Sequence, residues 1–271
     1  MNGWLIYDEY GAKRNEWFIS RLQTCFARRG LALTLKIYEK SDENGAFWED
    51  FPDFAIVRTI CPSVNAKLEE KGVRVFNNAK TARTANDKWQ TYLFCEKLGL
   101  PVLPTYLPEK ISPIAFPCVI KSVDGHGGSE VFLAKDEVEY EKAVERLWQA
   151  GKRAIVQKLN AVTGEDTRAY VIGGEIIACV KRTSKTDFRS NFSLGGEVSL
   201  VSADEKQKAI VKKLHESLRL DFVGVDFLPD GKGGYVVGEI EDSAGARMLY
   251  QTSNIDVADV FADYAASVLI K

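Results

Sequence analysis

The chain has 271 residues, 45% hydrophobic and 27% charged, with a formal net charge of −2. It is long for one simple domain and can bury a substantial core, so two or three packed units are expected. The near-neutral charge argues against nucleic acid as an obligatory partner, two histidines exclude a histidine-rich metal site, and no apolar run is long enough to cross a bilayer.

In chain order, Met1 to Tyr10 is strand-like and acidic, unlike a charged-then-apolar leader, so a cytoplasmic protein with no membrane partner is expected. GWLIYDE (3–9) and ALTLKIYEK (32–40) read as strands flanking a helix from about Lys13 to Arg29, whose Phe18, Leu22, Cys25 and Phe26 form an apolar stripe. DFAIVRTI (53–60) and VRVFNNA (73–79) continue the alternation, giving a small parallel α/β unit over residues 1–80. No GxGxxG follows its first strand, so no dinucleotide site is expected there.

The segment from Asn86 to Tyr106 reads as a helix capped by Asn86 or Asp87 and stopped by Gly99 and Pro101. AFPCVIKSV (115–123) and SEVFLAK (129–135) are strands joined by DGHGG, and residues 136–151 form an amphipathic helix with Val144, Leu147 and Trp148 inward. Beyond Ala154 come hairpins: RAIVQKL, then two strands around Gly173–Gly174, a Lys-rich helix near 204–219, an acidic hairpin over 224–242 and a final helix from Ile255. Cys25, Cys61, Cys95, Cys118 and Cys179 form no CxxC pair and read as reduced core thiols.

Two stretches bear chemistry. In GVDFLPDGKGGYVVGEIED (224–242), Asp230 to Gly234 make a turn between antiparallel strands, and alternation puts Glu239 and Glu241 on one face and Asp242 on the other. With Asp226, these acids form either a hard-cation site or a solvated strand face, and the stretch alone leaves both readings open. In SVDGHGGSEVF (122–132), Gly125, Gly127 and Gly128 let the backbone approach a phosphate, although taken alone a mobile hairpin with an exposed His126 is favoured. Lys88 and Lys121 lie within reach of a polyphosphate there, and VKRTSKTDFRSN adds Lys181, Arg182, Arg189 and Asn191. Cations in one half and convergent acids in the other match the needs of Mg²⁺–nucleotide chemistry.

The ordered series NDK (86–88), FPCVIKS with its glycine loop, IVQKL, GEDTRAYVIGGEIIACVKR, FRSNFSLGG, VGVDFL and GEIEDSAGARMLYQTSNIDVA resembles the ATP-grasp superfamily, and within it the RimK-like carboxylate–amine ligases. The likeness runs from about Asn86 to the C-terminus, and the preceding unit fits the family's N-terminal domain. It implies an α+β ATP-grasp fold with an N-terminal α/β domain (1–80) and two α+β subdomains (81–155 and 156–271) that clamp ATP between them. It also implies a ligase that joins a small-molecule or peptide carboxylate to an amine through an acyl phosphate. An ATP-grasp kinase or a non-catalytic ATP-binding module is the alternative, and a homo-oligomer is left open.

By the same resemblance, Lys88 and Lys121 are phosphate lysines, and Gly125 to Ser129, with Gly127 and Gly128, are the loop that closes over the phosphates. Gln157, Lys158 and Leu159 lie on the hinge strand facing adenine. Asp166 precedes the D-x-R arginine, Arg168, and Arg189, Ser190 and Asn191 lie near phosphate and substrate. Lys121 and Arg189 would stabilise the transferring phosphoryl group, with Arg168 or Arg182 near the acyl oxyanion. Asp226 and Glu239 match magnesium ligands, and Glu241 replaces the usual Asn as the third; Mn²⁺ is a possible substitute. Lys158 and Leu159 stand where relatives have Glu and an aromatic, and SAG replaces SPG. Contacts to the acid and amine would come from the N-terminal unit and from segments around Arg58, Asn191 and Arg247, which no spacing rule decodes.

Overall fold

The computed structural model describes residues 1–39, 41–42, 45–108, 115–125, 127–185, 187–189 and 196–270. Strands β1 (Asn2–Tyr7), β2 (Ala32–Ile37), β3 (Phe54–Val57) and β4 (Arg74–Phe76) form a parallel sheet in the order β2-β1-β3-β4. The expected first helix is two, α1 (Glu9–Arg14) and α2 (Glu16–Ala27). The break falls at Asn15, whose side-chain amide donates to the Gly11 carbonyl and so competes with the helical ladder. Within α2, Phe18, Leu22, Cys25 and Phe26 are buried as their spacing requires. Helices α3 (Pro62–Glu70) and α4 (Ala79–Ala85), which no apolar stripe announced, complete the connections.

Helix α5 (Lys88–Lys97) is capped by Asp87, whose carboxylate accepts from the Gln90 amide. It leads into an antiparallel sheet of β5 (Thr105–Tyr106), β6 (Cys118–Ser122), β7 (Val131–Ala134) and β8 (Ala154–Lys158), ordered β5-β8-β6-β7. Because β8 pairs with β6 as far as Lys158, this sheet continues past residue 155. Helix α6 (Glu137–Gln149) covers it with Ala143, Val144 and Leu147. Trp148 does not join them and is 49% exposed: one step of about 100° beyond Leu147 turns it to the rim of the stripe.

The third sheet contains β9 (Glu165–Ile172), β10 (Glu175–Thr183), β11 (Glu197–Val201), β12 (Phe222–Pro229) and β13 (Tyr235–Glu241) in the order β11-β10-β9-β12-β13, all antiparallel. Gly173 and Gly174 turn β9 into β10 with φ of 58° and 85°, a pairing that a Cβ would disfavour at both positions. Helix α7 (Glu205–Leu218) begins at a capping box between Asp204 and Gln207. After the short α8 (Arg247–Thr252), helix α9 (Val257–Leu269) returns to α2. Phe261 and Ala265 thereby share one core with Leu5, Phe26 and Phe54 of the first sheet. The five cysteines are free, four of them buried.

Candidate active site

A cleft of about 940 Å³ opens between the second and third sheets. One end is apolar, walled by Leu103, Val119, Val131, Leu159 and Leu228. Gln157 sits at this end with its Nε2 donating to Thr105 Oγ1 at 2.8 Å, while its Oε1 is buried without a partner. Lys158 and Leu159 line the same wall.

At the other end β12 and β13 bring three acids together. Asp226 pairs with Glu239 across the strands, and a bulge at Gly238 sets the register on either side. Ligand oxygens of Asp226, Glu239 and Glu241 lie within 4.8 Å of one another. Each faces a cation. Arg168 Nε and Nη2 donate to the two Asp226 oxygens, both at 2.7 Å, and Nη2 also reaches Glu241 at 2.6 Å. Arg182 is held by Asp166 through Nε at 2.6 Å and through Nη2, which also donates to Asp226 at 2.7 Å. Lys88 Nζ lies 3.0 Å from Glu239.

These pairings set the electrostatics. Burial alone would raise the Asp226 carboxyl, but Arg168 and Arg182 overcome it and hold the group well below the usual carboxylate range. Glu241 goes the other way: burial, with Asp226 and Glu239 close by, raises it against the pull of Arg168. Lys121, on β6 at the cleft wall, makes no ion pair within 4.0 Å among the described residues. Burial, helped by Lys88 and opposed by Glu239, pushes its ammonium down to about 8.

The glycine loop closes the polar end. Gly127 and Gly128 have φ of 69° and 79°, and a Cβ on Gly125 would meet the Glu130 carboxylate at 2.5 Å. Lys88 donates to the Gly125 carbonyl, and Arg189 Nη1 to that of Gly128 at 2.8 Å. Asp187, not anticipated from the sequence, fixes Arg189 through Nε at 3.0 Å and Nη2 at 2.6 Å. Ser129 lies at the end of this loop, while His126, Ser190 and Asn191 lie outside the described residues. The structure thus gathers Lys88, Lys121, Gly125, Gly127, Gly128, Gln157, Lys158, Leu159, Asp166, Arg168, Arg182, Arg189 and all three acids around one cleft. It also adds the walls Leu103, Val119 and Leu228. Leu228 was reachable by period two from Asp226, whereas the others depend on contacts between sheets.

Asp242 is on the opposite face, as alternation requires, yet it is not a bystander. It is 1% exposed, and Oδ1 accepts from Asn77 Nδ2 at 2.6 Å, tying the turn after β13 to the N-terminal unit. Burial pushes its carboxyl up to about 6, against the donors Asn77 and Asn86 and the charge of Arg58. The folded state therefore binds more protons than the unfolded chain between about pH 4 and 6, so this group's contribution falls as pH rises through that window. Asp242→Asn is therefore expected to alter stability rather than metal binding. This variant should flatten the pH dependence of the urea midpoint between about pH 4 and 6 without moving the magnesium requirement; an unchanged slope would exclude Asp242 as its source.

The profile of the RimK-like ATP-grasp domain matches residues 99–265. N-acetylaspartylglutamate synthase A of Homo sapiens is 30% identical over 239 residues, covering 81% of this chain and 61% of its own length. A probable α-L-glutamate ligase of Pasteurella multocida (strain Pm70) is 31% identical over 200 residues, covering 70% and 64%. The chain thus spans a little over three-fifths of the length of these curated relatives. Among solved structures, a D-cycloserine synthetase superposes with a TM-score of 0.76 at 19% identity, over 99% of this chain and 100% of its own, a likeness of fold. Among the described residues no helix is long and apolar enough to cross a membrane. Because the matching profile covers more than half of the chain, including both sheets that form the cleft, this protein belongs to the RimK-like ATP-grasp family.

Proposed function

We propose that the protein is an ATP-dependent ligase that joins a carboxylate to an amine through an acyl phosphate and releases ADP and phosphate. The observation that carries this reading is Lys121, an ammonium without an acid partner among the described residues, in a cleft that also holds three convergent carboxylates. A half-buried cation of this kind calls for an anion, and a polyphosphate supplies one. Glutamate, which both relatives' names contain, is the first candidate amine.

The donors fit magnesium. They are all oxygen and converge to within 4.8 Å of one another, close enough to share one hard cation; Mn²⁺ suits the same oxygens. A bound cation would offset charge on the β- and γ-phosphates. Adenine would enter the slot of Leu103, Val119 and Leu228, with Gln157 Oε1 as an acceptor for its amino group and backbone groups of Lys158 and Leu159 at its edge. Lys88 would exchange Glu239 for phosphate, Lys121 would meet the γ-phosphate, and amides of Gly125 to Ser129 would follow once Lys88 and Arg189 release the loop carbonyls. Arg168 and Arg182, bonded to acids through Nε and Nη2, act in this reading mainly to hold Asp226 and Glu241 in place. The acid's oxygen attacks the γ-phosphorus in line and ADP leaves. The amine then attacks the acyl carbon and phosphate leaves, with positioning and electrostatics as the main catalytic contributions.

Hydroxylamine intercepts acyl phosphates. With ATP, magnesium and a pool of carboxylic acids it should yield a hydroxamate in step with ADP, whereas ADP accompanied by a stable phosphorylated acceptor would place the protein among kinases. Glu241→Asn should keep activity but need more magnesium, and Glu241→Ala should lose most of it. A magnesium titration that coincides for wild type and both variants would take Glu241 out of the metal set.

A further inference from the structure

The apolar end of the cleft holds one polar group whose orientation is decided by residues behind it. Gln157 is 9% exposed and lines the cleft with its Oε1 buried and unpartnered. Its neighbour across the pairing of β5 with β8 is Thr105, which is 2% exposed and is not itself part of the cleft lining. Thr105 Oγ1 donates to the Leu103 carbonyl at 2.9 Å and accepts from Gln157 Nε2 at 2.8 Å.

A hydroxyl has one proton and two lone pairs, whereas a carbonyl can only accept. With its proton committed to Leu103, Thr105 can offer Gln157 nothing but a lone pair. The amide must therefore meet it with Nε2, which leaves Oε1 as the free end. Turning the amide over would set Oε1 against the Oγ1 lone pairs. Swinging the hydroxyl proton across to relieve that contact would strip the Leu103 carbonyl of this donor. Either way one hydrogen bond of a largely buried chain is lost. The chain from Gln157 through Thr105 to Leu103 thus has one favoured direction, and each link polarises the next.

We infer that Thr105 is a positioning residue that sets which nucleobase the cleft takes. By holding Gln157 Oε1 outward as an acceptor, it favours a base with an exocyclic amino group, as adenine has at C6, over a purine with a carbonyl there. The inference rests on the nucleotide site of the ligase reading, and it assigns the choice of base to a side chain that acts through Gln157.

Calorimetry on the full chain with magnesium provides the test, comparing ATP with inosine triphosphate, which has the same sugar and phosphates but a carbonyl at C6. The wild type should bind ATP about tenfold more tightly or better, the difference expected when a buried acceptor is left facing another acceptor. Thr105→Val keeps the shape and removes the hydroxyl, so the amide can turn to suit either base. The ratio of the two affinities should then fall about tenfold, while Thr105→Ser should retain it. A residue that served only for packing would change both affinities together and leave their ratio alone. Because Thr105 acts through Gln157, adding Thr105→Val to Gln157→Leu should shift the ratio no further. If the valine variant fails to fold, Thr105→Ala removes the same hydroxyl and is read in the same way. ATP binding with no preference over inosine triphosphate, or a ratio unmoved by loss of the hydroxyl, would overturn the assignment and leave the ligase reading standing. Binding of neither nucleotide would overturn both.

Discussion

Asp226→Ala is expected to abolish ADP release and to cost about 3–5 kcal/mol of stability at the same time. Asp226 is 5% exposed and accepts three hydrogen bonds at 2.7 Å, two from Arg168 and one from Arg182. Truncation leaves both guanidiniums buried with part of their compensation gone. Because these partners depress its folded pKa, the stability it contributes is present above about pH 4 and is lost as pH falls through the lower folded value. Acid should therefore unfold the wild type with a steeper pH dependence than the variant. Asp226→Asn separates the two roles: an amide fills the same space and still accepts from Arg168, so the fold should suffer less while metal-dependent turnover falls as far. A folded Asp226→Asn protein that releases ADP at near wild-type rate would remove Asp226 from the proposed metal set.

Lys121→Ala should lower kcat/KM by about 10²–10³ and weaken ATP binding, by analogy with loss of one preorganised group that stabilises transition-state charge. It should not unfold the protein, because an unpaired half-buried ammonium costs free energy in the absence of ligand. With its folded value at about 8 against an ordinary 10.5, the unfolded chain binds more protons between those pH values. Stability should then rise with pH across that window, and the rise should vanish in the variant. Phosphate restores the charge, so ATP binding near pH 9 should take up a proton. Calorimetry in buffers of different ionisation enthalpy detects this uptake, and identical heats in all of them would show that Lys121 is not the partner of the phosphates.

Features governed by neighbours in sequence were legible. The α2 stripe, the Gly173–Gly174 turn, the Asp87 cap and the opposite facing of Glu241 and Asp242 follow from local periodicity and turn chemistry. What escaped depends on contacts between distant segments or on one side chain competing with the backbone. Asn15 splits the first helix through a single hydrogen bond to Gly11. The apolar slot needs Leu103, Val119 and Leu228 from separate elements, and Asp242 gains its role only when Asn77 arrives from the first unit. Charge type was legible for Arg168 and Arg182, but their acid partners across neighbouring strands emerge only from the register of β9, β10 and β12.

Transfer of oxygen from the substrate acid to phosphate tests the ligase account most directly. With the acid identified by hydroxamate formation and its carboxyl labelled with oxygen-18, each turnover in the presence of amine should place one labelled oxygen in the released phosphate, matched to one amide formed. An acyl phosphate requires this result, because the attacking carboxylate oxygen stays on phosphorus when the amine displaces it. Amide and ADP accompanied by unlabelled phosphate would contradict the account.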